Sequence, residues 1–494
     1  MDTIIIEKKN EATLYITSDD SGILQEISEF FTFYAPGYKF MPSYRNKMWD
    51  GKVRLYNRMN STIPSGLLNE VLQFAKDRSY QVNLAPDIQN RFSYDEEFVD
   101  GLSLCGGGNP IKPRDYQKRA FEFATDNGKA ILVSPTGSGK SLIIYMLIRY
   151  YLQEELDKKV IIVVPTTSLV EQMYKDFADY SSDDPDFNVE DDVHRIYSGK
   201  EKTFDQSVLI TTWQSAVKLP TLWFEQFGCV IGDEAHTFKA KSLTTIMSRL
   251  VNAEMRIGTT GTLDGGQVNE LTLTGNFGQV YKVTTTQSLI ESDTLADLKI
   301  QSLVLKYSDK VRKAFGKQTY ADEISFIAAH EQRNRFITNL ALDQTGNTLV
   351  LYNLVKKHGE PLFKQIRDRA GKRKVFFVSG SVNAEEREKI RTVTEKEKNA
   401  IIVASVGTFS TGINIRNLHN IIFASPSKSQ IRVLQSIGRG LRKSENGQGT
   451  VVYDLADDLS WKKRKNYTLN HAVERVKIYN KEGFSYEIHE VPLL

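Results

Sequence analysis

The strongest constraint on the fold of this 494-residue chain is a series of short runs of branched apolar residues, separated by stretches with helical spacing. A run that is apolar at every position predicts a strand buried on both faces, as in a parallel sheet covered by helices. Nine such runs occur: AILVS (130–134), VIIVVP (160–165), VLIT (208–211), CVIG (229–232), TLVLY (348–352), KVFFV (374–378), AIIVA (400–404), NIIFA (420–424) and TVVYD (450–454). Residues 141–156 have apolar positions at helical spacing and predict the crossover helix after the first strand. Because the runs form two series, separated around residues 285–345, the sequence predicts an α/β protein with two parallel-sheet lobes.

Composition and charge limit the class of protein further. The length predicts roughly three domains at about 150 residues per domain. Hydrophobic residues make up 40% and charged residues 25%, as in globular proteins. The net charge of +3 excludes a histone-like polycation and confines any nucleic-acid contact to a local basic patch. No signal-peptide pattern or bilayer-length apolar run is present, so we expect a soluble, cytoplasmic protein. Two cysteines without a CxxC pattern exclude a disulfide scaffold and argue against a structural zinc site.

The clearest boundary in the chain is the stretch GLSLCGGGNPIKPR at residues 101–114. Three consecutive glycines and two prolines are typical of a flexible linker. We therefore divide the chain into five parts: an N-terminal module (1–100), a linker (101–113), a first lobe (114–285), a second lobe (286–455) and a short C-terminal helical segment (456–494).

A glycine-rich loop, SPTGSGKS at residues 134–141, follows the first predicted strand and precedes its helix. In such loops successive backbone N–H groups point at phosphate oxygens, and the helix N-terminus adds positive potential. Lys140 would reach the β- and γ-phosphates of ATP, and the Ser141 hydroxyl would bind Mg²⁺. The strict phosphate-loop pattern has glycine at position 134, so the match is to the looser TGSGKS core. The alternative is a Gly/Ser turn with a chance lysine, which the strand-loop-helix context disfavours.

An acidic pair, Asp233 and Glu234, ends the predicted strand CVIG and begins the sequence DEAH. A carboxylate at the carboxyl end of a strand beside a phosphate loop is where a Mg²⁺ ligand belongs. Asp233 would hold the metal together with Ser141, and Glu234 would orient and deprotonate the attacking water. Alone, this sequence is equally typical of an exposed helix start with Asp as its N-cap.

The sequence QSIGRGLR at residues 435–442 places Arg439 and Arg442 three residues apart, on one face of a helix. Two guanidinium groups in this arrangement are suited to neutralising charge on a γ-phosphate. Taken in isolation, a surface helix with scattered arginines is the simpler interpretation.

Together, TGSGKS, DEAH and QSIGRGLR resemble, in order and spacing, motifs I, II and VI of the superfamily 2 helicases, and the resemblance covers about residues 110–455. It implies two tandem RecA-like lobes of the P-loop NTPase class, with ATP and Mg²⁺ as cofactors. It also implies roles for further residues in this sequence. The implied ATP-binding residues are Arg114, Gln117, Ser134, Pro135, Thr136, Gly137, Ser138, Gly139, Lys140, Ser141, Gly412 and Gln435. The implied residues that couple hydrolysis to movement are His236, Thr260 and Thr262, although Gly261 departs from the usual Ser/Thr-Ala-Thr. The implied DNA contacts of the two lobes are Pro165, Thr166, Thr167, Thr211, Thr212 and Thr411.

Residues 31–60 of the N-terminal module contain six basic residues and one acidic residue, Asp50, with aromatic residues between them. Cations for phosphates and flat side chains for bases are typical of nucleic-acid-binding surfaces. We expect DNA contacts from Lys39, Arg45, Lys47, Trp49, Lys52 and Arg54. The alternative is a small α/β domain whose aromatic residues form its core and whose basic residues are merely solvated. A second basic run, WKKRK at 461–465, fits a solvated surface equally well.

The resemblance implies an ATP-dependent DNA helicase that remodels branched DNA (forks, Holliday junctions and R-loops) in recombination, replication and repair. Its expected partners are single-stranded and branched DNA and an RNA–DNA hybrid, and the expected state is a monomer. Two alternatives stay open: a translocase on duplex DNA that does not separate strands, and a nucleic-acid-binding protein that ATP switches between affinities.

Overall fold

A computed structural model describes residues 3–154, 157–197, 203–238, 240–263, 266–315, 318–380, 382, 384–412, 417–426, 437–438 and 449–493. The chain divides into two compact units: residues 1–134 with 139–283, and residues 135–138 with 284–494. No helix in the described part of the chain is long and apolar enough to cross a membrane.

The N-terminal module is a small α/β fold. Its strands are β1 (Thr3–Asn10), β2 (Thr13–Thr17), β3 (Thr32–Tyr34), β4 (Lys52–Arg54), β5 (Thr62–Pro64) and β6 (Gln81–Leu84). Its helices are α1 (Ser21–Phe30), α2 (Pro42–Arg45) and α3 (Leu68–Asp77), whereas the following helix, α4 (Glu96–Gly101), contributes Val99 to the apolar core of the first lobe. One sheet has the order β5-β2-β1-β6, and β3 and β4 form a separate antiparallel pair. Ile4 and Ile6 alternate with less buried residues along β1, as expected for a strand with one core-facing side, and they belong to one apolar core with Ile23 and Ile27 of α1.

The glycine-rich stretch is an ordered hairpin, so the expectation of a flexible linker at residues 101–113 is wrong. Strands β7 (Cys105–Gly106) and β8 (Asn109–Pro110) pair antiparallel around Gly107 and Gly108, which both have positive φ angles. The backbone N–H of Gly107 donates to the Asp179 carboxylate at 2.8 Å. The glycines therefore provide a tight turn, and a carboxylate 72 residues away fixes it.

The N-terminal module packs directly on the first lobe. The Lys129 ammonium group lies 3.1 Å from the Glu11 carbonyl oxygen and 3.2 Å from the Ser65 hydroxyl. Burial lowers the pKa of Lys129 to about 8, partly opposed by the Glu11 charge. The backbone N–H of Glu11 also donates to the Val251 carbonyl at 3.0 Å.

The first lobe is a parallel sheet with helices on both faces. Its described strands are β9 (Lys129–Val133), β10 (Lys159–Val164), β11 (Val193–Ile196), β12 (Val208–Thr212), β13 (Phe227–Asp233), β14 (Met255–Thr260) and β15 (Gln279–Lys282). Its described helices are α5 (Asp115–Asn127), α6 (Lys140–Glu154), α7 (Thr167–Tyr180), α8 (Val189–Asp192), α9 (Trp213–Ala216), α10 (Lys241–Arg249) and α11 (Gln267–Phe277). The strand order is β11-β12-β10-β13-β14-β9-β15, and every pair is parallel. The four predicted strands and the crossover helix are confirmed.

The second lobe repeats this architecture. Its described strands are β16 (Leu298–Lys306), β17 (Thr348–Tyr352), β18 (Val375–Val378), β19 (Ile401–Ser405), β20 (Asn420–Phe423), β21 (Thr450–Asp458) and β22 (Tyr486–Pro492). Its described helices are α12 (Thr286–Glu291), α13 (Asp309–Ala314), α14 (Tyr320–Ala329), α15 (Glu331–Asp343), α16 (Glu360–Arg369), α17 (Ala384–Lys396), α18 (Val406–Gly412) and α19 (Tyr467–Glu482). The parallel sheet has the order β18-β19-β17-β20-β21-β16-β22, which confirms the five predicted strands.

The C-terminal residues complete this second sheet, so the expectation of a separate C-terminal segment at 456–494 is wrong. Strand β22 pairs in parallel with β16. Helix α19 is joined to β21 by the buried Arg475 guanidinium group, which donates to the Asp454 carboxylate at 3.0 Å, and the Tyr479 hydroxyl donates to the same oxygen at 3.0 Å. The basic run 461–465 forms an exposed turn between β21 and α19.

Candidate active site

The glycine-rich loop lies between β9 and α6, as predicted. Gly137 and Gly139 have φ angles of +86° and +79°, a region that favours glycine because it carries no Cβ. The Lys140 ammonium group donates to the Ser134 carbonyl oxygen at 3.0 Å. The loop therefore has the backbone conformation and the lysine that a triphosphate site requires.

Gln117 lies beside this loop. A Cβ on Gly139 would be 2.4 Å from the Gln117 Nε2 atom, so the glycine also permits this close approach. The Gln117 Oε1 atom accepts a hydrogen bond from the Arg114 backbone N–H at 2.8 Å, which fixes its orientation at the start of α5. The Arg114 guanidinium group donates to the Tyr116 hydroxyl at 3.0 Å.

Ser141, the expected metal ligand in the loop, has a partner that the sequence did not reveal. Its hydroxyl lies 2.9 Å from the Tyr180 hydroxyl, at the C-terminal end of α7. Because α7 begins at Thr167, this helix connects the phosphate loop to one of the predicted nucleic-acid contacts.

Asp233 is the last residue of β13 and is buried. The Thr259 hydroxyl, on the neighbouring strand β14, donates to its Oδ1 atom at 2.9 Å. Burial and the negative charge of Glu234 raise the pKa of Asp233 to about 6, while the Lys140 charge and the Thr259 hydrogen bond oppose this shift. The loop lysine and the acidic pair therefore form one electrostatic site.

Glu234 has a left-handed backbone conformation with φ of +53°, which is strained for a residue with a Cβ and is typical of functional sites. Its Oε2 atom lies 3.3 Å from the His236 Nδ1 atom. The same His236 nitrogen lies 3.0 Å from the Thr260 hydroxyl, which donates to the Thr262 carbonyl at 2.9 Å. The predicted coupling residues are therefore a continuous chain of contacts that begins at Glu234.

Gly261 departs from the usual sequence at this position, but nothing in the structure requires glycine there. A Cβ on Gly261 would lie 3.9 Å from the Ser134 carbonyl oxygen and 4.0 Å from the Lys140 ammonium group, which are ordinary contact distances.

The predicted nucleic-acid contacts of the first lobe lie at the carboxyl ends of β10 and β12. Thr166 caps α7 by accepting a hydrogen bond from the Leu169 N–H, and the Pro165 carbonyl accepts one from the Gln214 side chain at 3.2 Å. Thr212 is buried and donates to the Ser215 hydroxyl. Thr211 is 0% exposed, and its hydroxyl donates to the Ile196 carbonyl on β11, so the expectation of a DNA contact from Thr211 is wrong.

The predicted residues of the second lobe fall into two groups. Thr411 and Gly412 end α18. Gln435, Arg439 and Arg442 lie outside the residues that the structure describes.

The basic and aromatic residues of the N-terminal module belong mainly to the segment between β3 and β4, residues 35–51, which includes the short helix α2 and which we call the 35–51 loop. Lys39, Arg45 and Lys47 are exposed. Trp49 helps to build the loop, because its indole N–H donates to the Lys52 carbonyl at 2.9 Å. Arg54 forms an ion pair with Asp50 and holds the pKa of that carboxyl at about 2, while the Lys52 ammonium group lies 5.3 Å from the Tyr34 ring centroid.

The residues present fit a Mg²⁺ ion. A serine hydroxyl and a carboxylate are the oxygen ligands that Mg²⁺ prefers. Asp233 is buried beside the negative charge of Glu234, and a divalent cation would offset the cost of holding both carboxylates in their charged form.

A phosphate loop and an acidic pair at the strand ends of one parallel-sheet lobe, followed by a second such lobe, define a P-loop NTPase with tandem α/β lobes. Comparisons with known protein families support this class. Residues 110–265 match the type III restriction enzyme res subunit family, and residues 331–444 match the helicase conserved C-terminal domain. Residues 4–85 match the N-terminal domain of the DNA helicase UvsW.

Individual relatives show which family within this class the chain belongs to. The chain is 36% identical over 497 aligned residues to the ATP-dependent DNA helicase uvsW of Enterobacteria phage T4, covering 96% of this chain and 97% of that protein. The crystal structure of T4 UvsW matches all of both chains with a TM-score of 0.53 and 34% identity. The DNA-bound DUF1998 helicase MrfA shares the fold, with a TM-score of 0.56 and 16% identity over 80% of this chain and 55% of that one. The chain therefore belongs to the superfamily 2 helicases, in the family of the phage helicase UvsW.

Proposed function

We propose that this protein is an ATP-dependent DNA helicase that unwinds or remodels branched DNA during recombination, replication and repair. The observation that carries the proposal is the arrangement at the strand ends of the first lobe, where Glu234, His236 and Thr260 are in contact and the charges of Lys140 and Glu234 act on the buried Asp233. The near full-length similarity to a phage DNA helicase supports DNA as the substrate.

Each candidate site residue of the first lobe has a distinct role in ATP hydrolysis. Lys140 neutralises charge on the β- and γ-phosphates, and Glu234 orients the attacking water and accepts its proton. Ser141 and Asp233 would hold Mg²⁺, which supplies further neutralisation of phosphate charge when bound. The contacts from Glu234 through His236 to Thr260 transmit the state of the nucleotide to the segment that follows β14.

Residues of the second lobe also have proposed roles in ATP hydrolysis and DNA binding. Arg439 and Arg442 stabilise the charge that develops on the γ-phosphate, as arginine fingers do, and Gln435 contacts the nucleotide. Thr411, together with Thr166 and Thr167, would hold the strand along which the protein moves, and Gly412 would contact the nucleotide. We also propose that the helicase acts as a monomer in the host cytoplasm and accepts RNA–DNA hybrids, since contacts to a backbone discriminate sugars poorly.

A strand-displacement assay tests the proposal. ATP-dependent release of a labelled strand from a fork is expected, and its absence with normal DNA-stimulated ATPase activity would favour a translocase or a switch. Triplex displacement separates these alternatives, because a translocase removes the third strand and a switch does not.

A further inference from the structure

The 35–51 loop displays large apolar side chains to solvent. Phe40 is 85% exposed and Met48 is 81% exposed, although only eight positions separate them. Met41, next to Phe40, is exposed as well. A single exposed apolar residue is ordinary, but a group of them on one loop is typical of a binding surface.

This exposure is not a consequence of a loosely built loop. The Tyr34 and Tyr38 rings stack with centroids 4.6 Å apart, and Tyr44 packs edge-on against Tyr38 at 4.8 Å. Gly51 has a φ of +81°, and a Cβ there would lie 2.5 Å from the Tyr38 ring. The backbone N–H of Ala35 donates to the Gly51 carbonyl at 2.8 Å and closes the base of the loop. Three tyrosines of this region therefore pack together, although Tyr34 is itself partly exposed.

The charges around Phe40 and Met48 are positive. Lys39, Arg45 and Lys47 are exposed, and none of them forms an ion pair with another residue in the described ranges. The acidic residue of this region, Asp50, is already paired with Arg54. A polyanion with flat apolar faces between its charges complements this surface, and DNA has that chemistry.

We propose that Phe40, supported by Met48, inserts between stacked base pairs at the branch point of a DNA junction, while Lys39, Arg45 and Lys47 contact the flanking phosphates. The inference rests on the proposed function, because it takes branched DNA as the substrate. Phe and Met are among the side chains that proteins use to separate base steps.

The branch point is the favoured place for physical reasons. Opening a step inside a continuous duplex costs a few kcal/mol of stacking. At a branch, one of the two strands at each abutting pair of helical ends crosses to another arm, so the ends are held together less tightly and less stacking is lost when a ring enters. A loop that presents an exposed ring therefore selects branches over continuous duplex, without reading base sequence.

The test uses the full-length protein without ATP and a four-way junction that carries 2-aminopurine at the branch point. Stacking quenches this base, so insertion of Phe40 should raise its fluorescence. The same probe placed within one arm should not respond. The Phe40→Ala variant should lose the fluorescence rise at saturating protein and bind the junction roughly tenfold more weakly. Its salt dependence should be unchanged, because no charge is removed.

Two further variants distinguish insertion by Phe40 from the phosphate contacts of the basic residues. The Lys39→Ala/Lys47→Ala variant should keep the fluorescence rise at saturation, but the slope of log K against log salt should fall by roughly 1.8 for two lost phosphate contacts. Leu222→Ala, which removes another large exposed side chain (75%) from the first lobe, should match the wild type in both measurements.

The possible failures can be told apart. An unchanged fluorescence rise in Phe40→Ala, or none in the saturated wild type, overturns the inference; if DNA-stimulated ATPase activity is normal, the proposed function stands. Absence of that ATPase activity in the wild type contradicts the proposed function instead. If Phe40→Ala changes only the mass of the protein in light scattering, the loop is a protein interface and the inference is wrong.

Discussion

Replacement of Gly66 by alanine tests whether the N-terminal module must be docked on the first lobe. Gly66 belongs to the single turn Ser65–Leu67, which packs on α11. A Cβ at this position would lie 2.0 Å from the Thr274 carbonyl oxygen and 2.9 Å from the Gly275 carbonyl oxygen. Both atoms belong to the backbone, so no side chain can rotate away to relieve the clash.

The size of the effect follows from this geometry. The turn and α11 must separate by roughly 1 Å or more, and overpacking of this kind costs about 1–3 kcal/mol. The equilibrium between docked and undocked module should shift by roughly 5- to 150-fold. Amide hydrogen exchange should therefore increase at residues 65–67 and 267–277, and the phosphate loop should be unaffected.

The assay compares Gly66→Ala with Gly101→Ala, since a Cβ on Gly101 would meet no atom within 4 Å. We expect Gly66→Ala to keep single-strand-stimulated ATPase activity and to lose most of its fork unwinding. We expect Gly101→Ala to match the wild type in both. Equal exchange and equal unwinding in the two variants would refute the reasoning.

Three other predictions concern single side chains. Glu234→Gln should bind ATP normally and hydrolyse it roughly 10²–10⁴-fold more slowly, because the water loses its base; a normal turnover rate would contradict the assignment. Tyr180→Phe should weaken the Mg²⁺-dependent part of ATP binding by roughly tenfold and leave binding in EDTA unchanged, whereas Tyr174→Phe on the same helix should change neither. Burial lowers the pKa of His358 from 6.5 to about 3. As the pH falls, His358 is therefore protonated in the unfolded chain before it is protonated in the native protein, and the native state loses stability below pH 6.5. Between pH 7 and pH 5 this loss should be about 2 kcal/mol, visible as faster hydrogen exchange in β17, and His358→Gln should flatten that pH dependence.

The parts of the fold that could be predicted are those that local sequence determines. The phosphate loop needs only a strand, glycines and a lysine in succession, and its neighbours along the chain fix its conformation. The nine predicted strands are apolar at nearly every position because helices cover both faces of their sheets.

Strand β14, MRIGTT, could not be recognised because it contains an arginine. Arg256 is nevertheless buried, since the carbonyl oxygens of Met247, Leu250 and Asn276 accept hydrogen bonds from its guanidinium group. Burial of a charge in a central strand becomes possible only when distant residues supply those acceptors. The sequence does not show which residues these are.

In the candidate site, too, the sequence predicted the features that local sequence and strand order determine. Lys140, Asp233 and Glu234 follow strands, so their common location at one sheet edge follows from topology. The partnership of Ser141 with Tyr180 and the exposure of Phe40 could not be predicted, because both depend on how separate elements pack. The same reason explains why Thr211, a residue of a matched motif, is turned into the lobe instead of toward solvent.

The most direct test of the central claim is ATP-dependent strand displacement from a labelled fork by the intact protein and by Lys140→Ala. The ammonium group that this substitution removes bonds to the Ser134 carbonyl inside the loop and interacts electrostatically with Asp233, so the substitution acts at the nucleotide site. We predict displacement by the wild type only when ATP and Mg²⁺ are present, and none by Lys140→Ala, with DNA binding retained by both. Displacement by the Lys140→Ala variant, or by the wild type without ATP, would contradict the account of this protein as an ATP-driven DNA helicase.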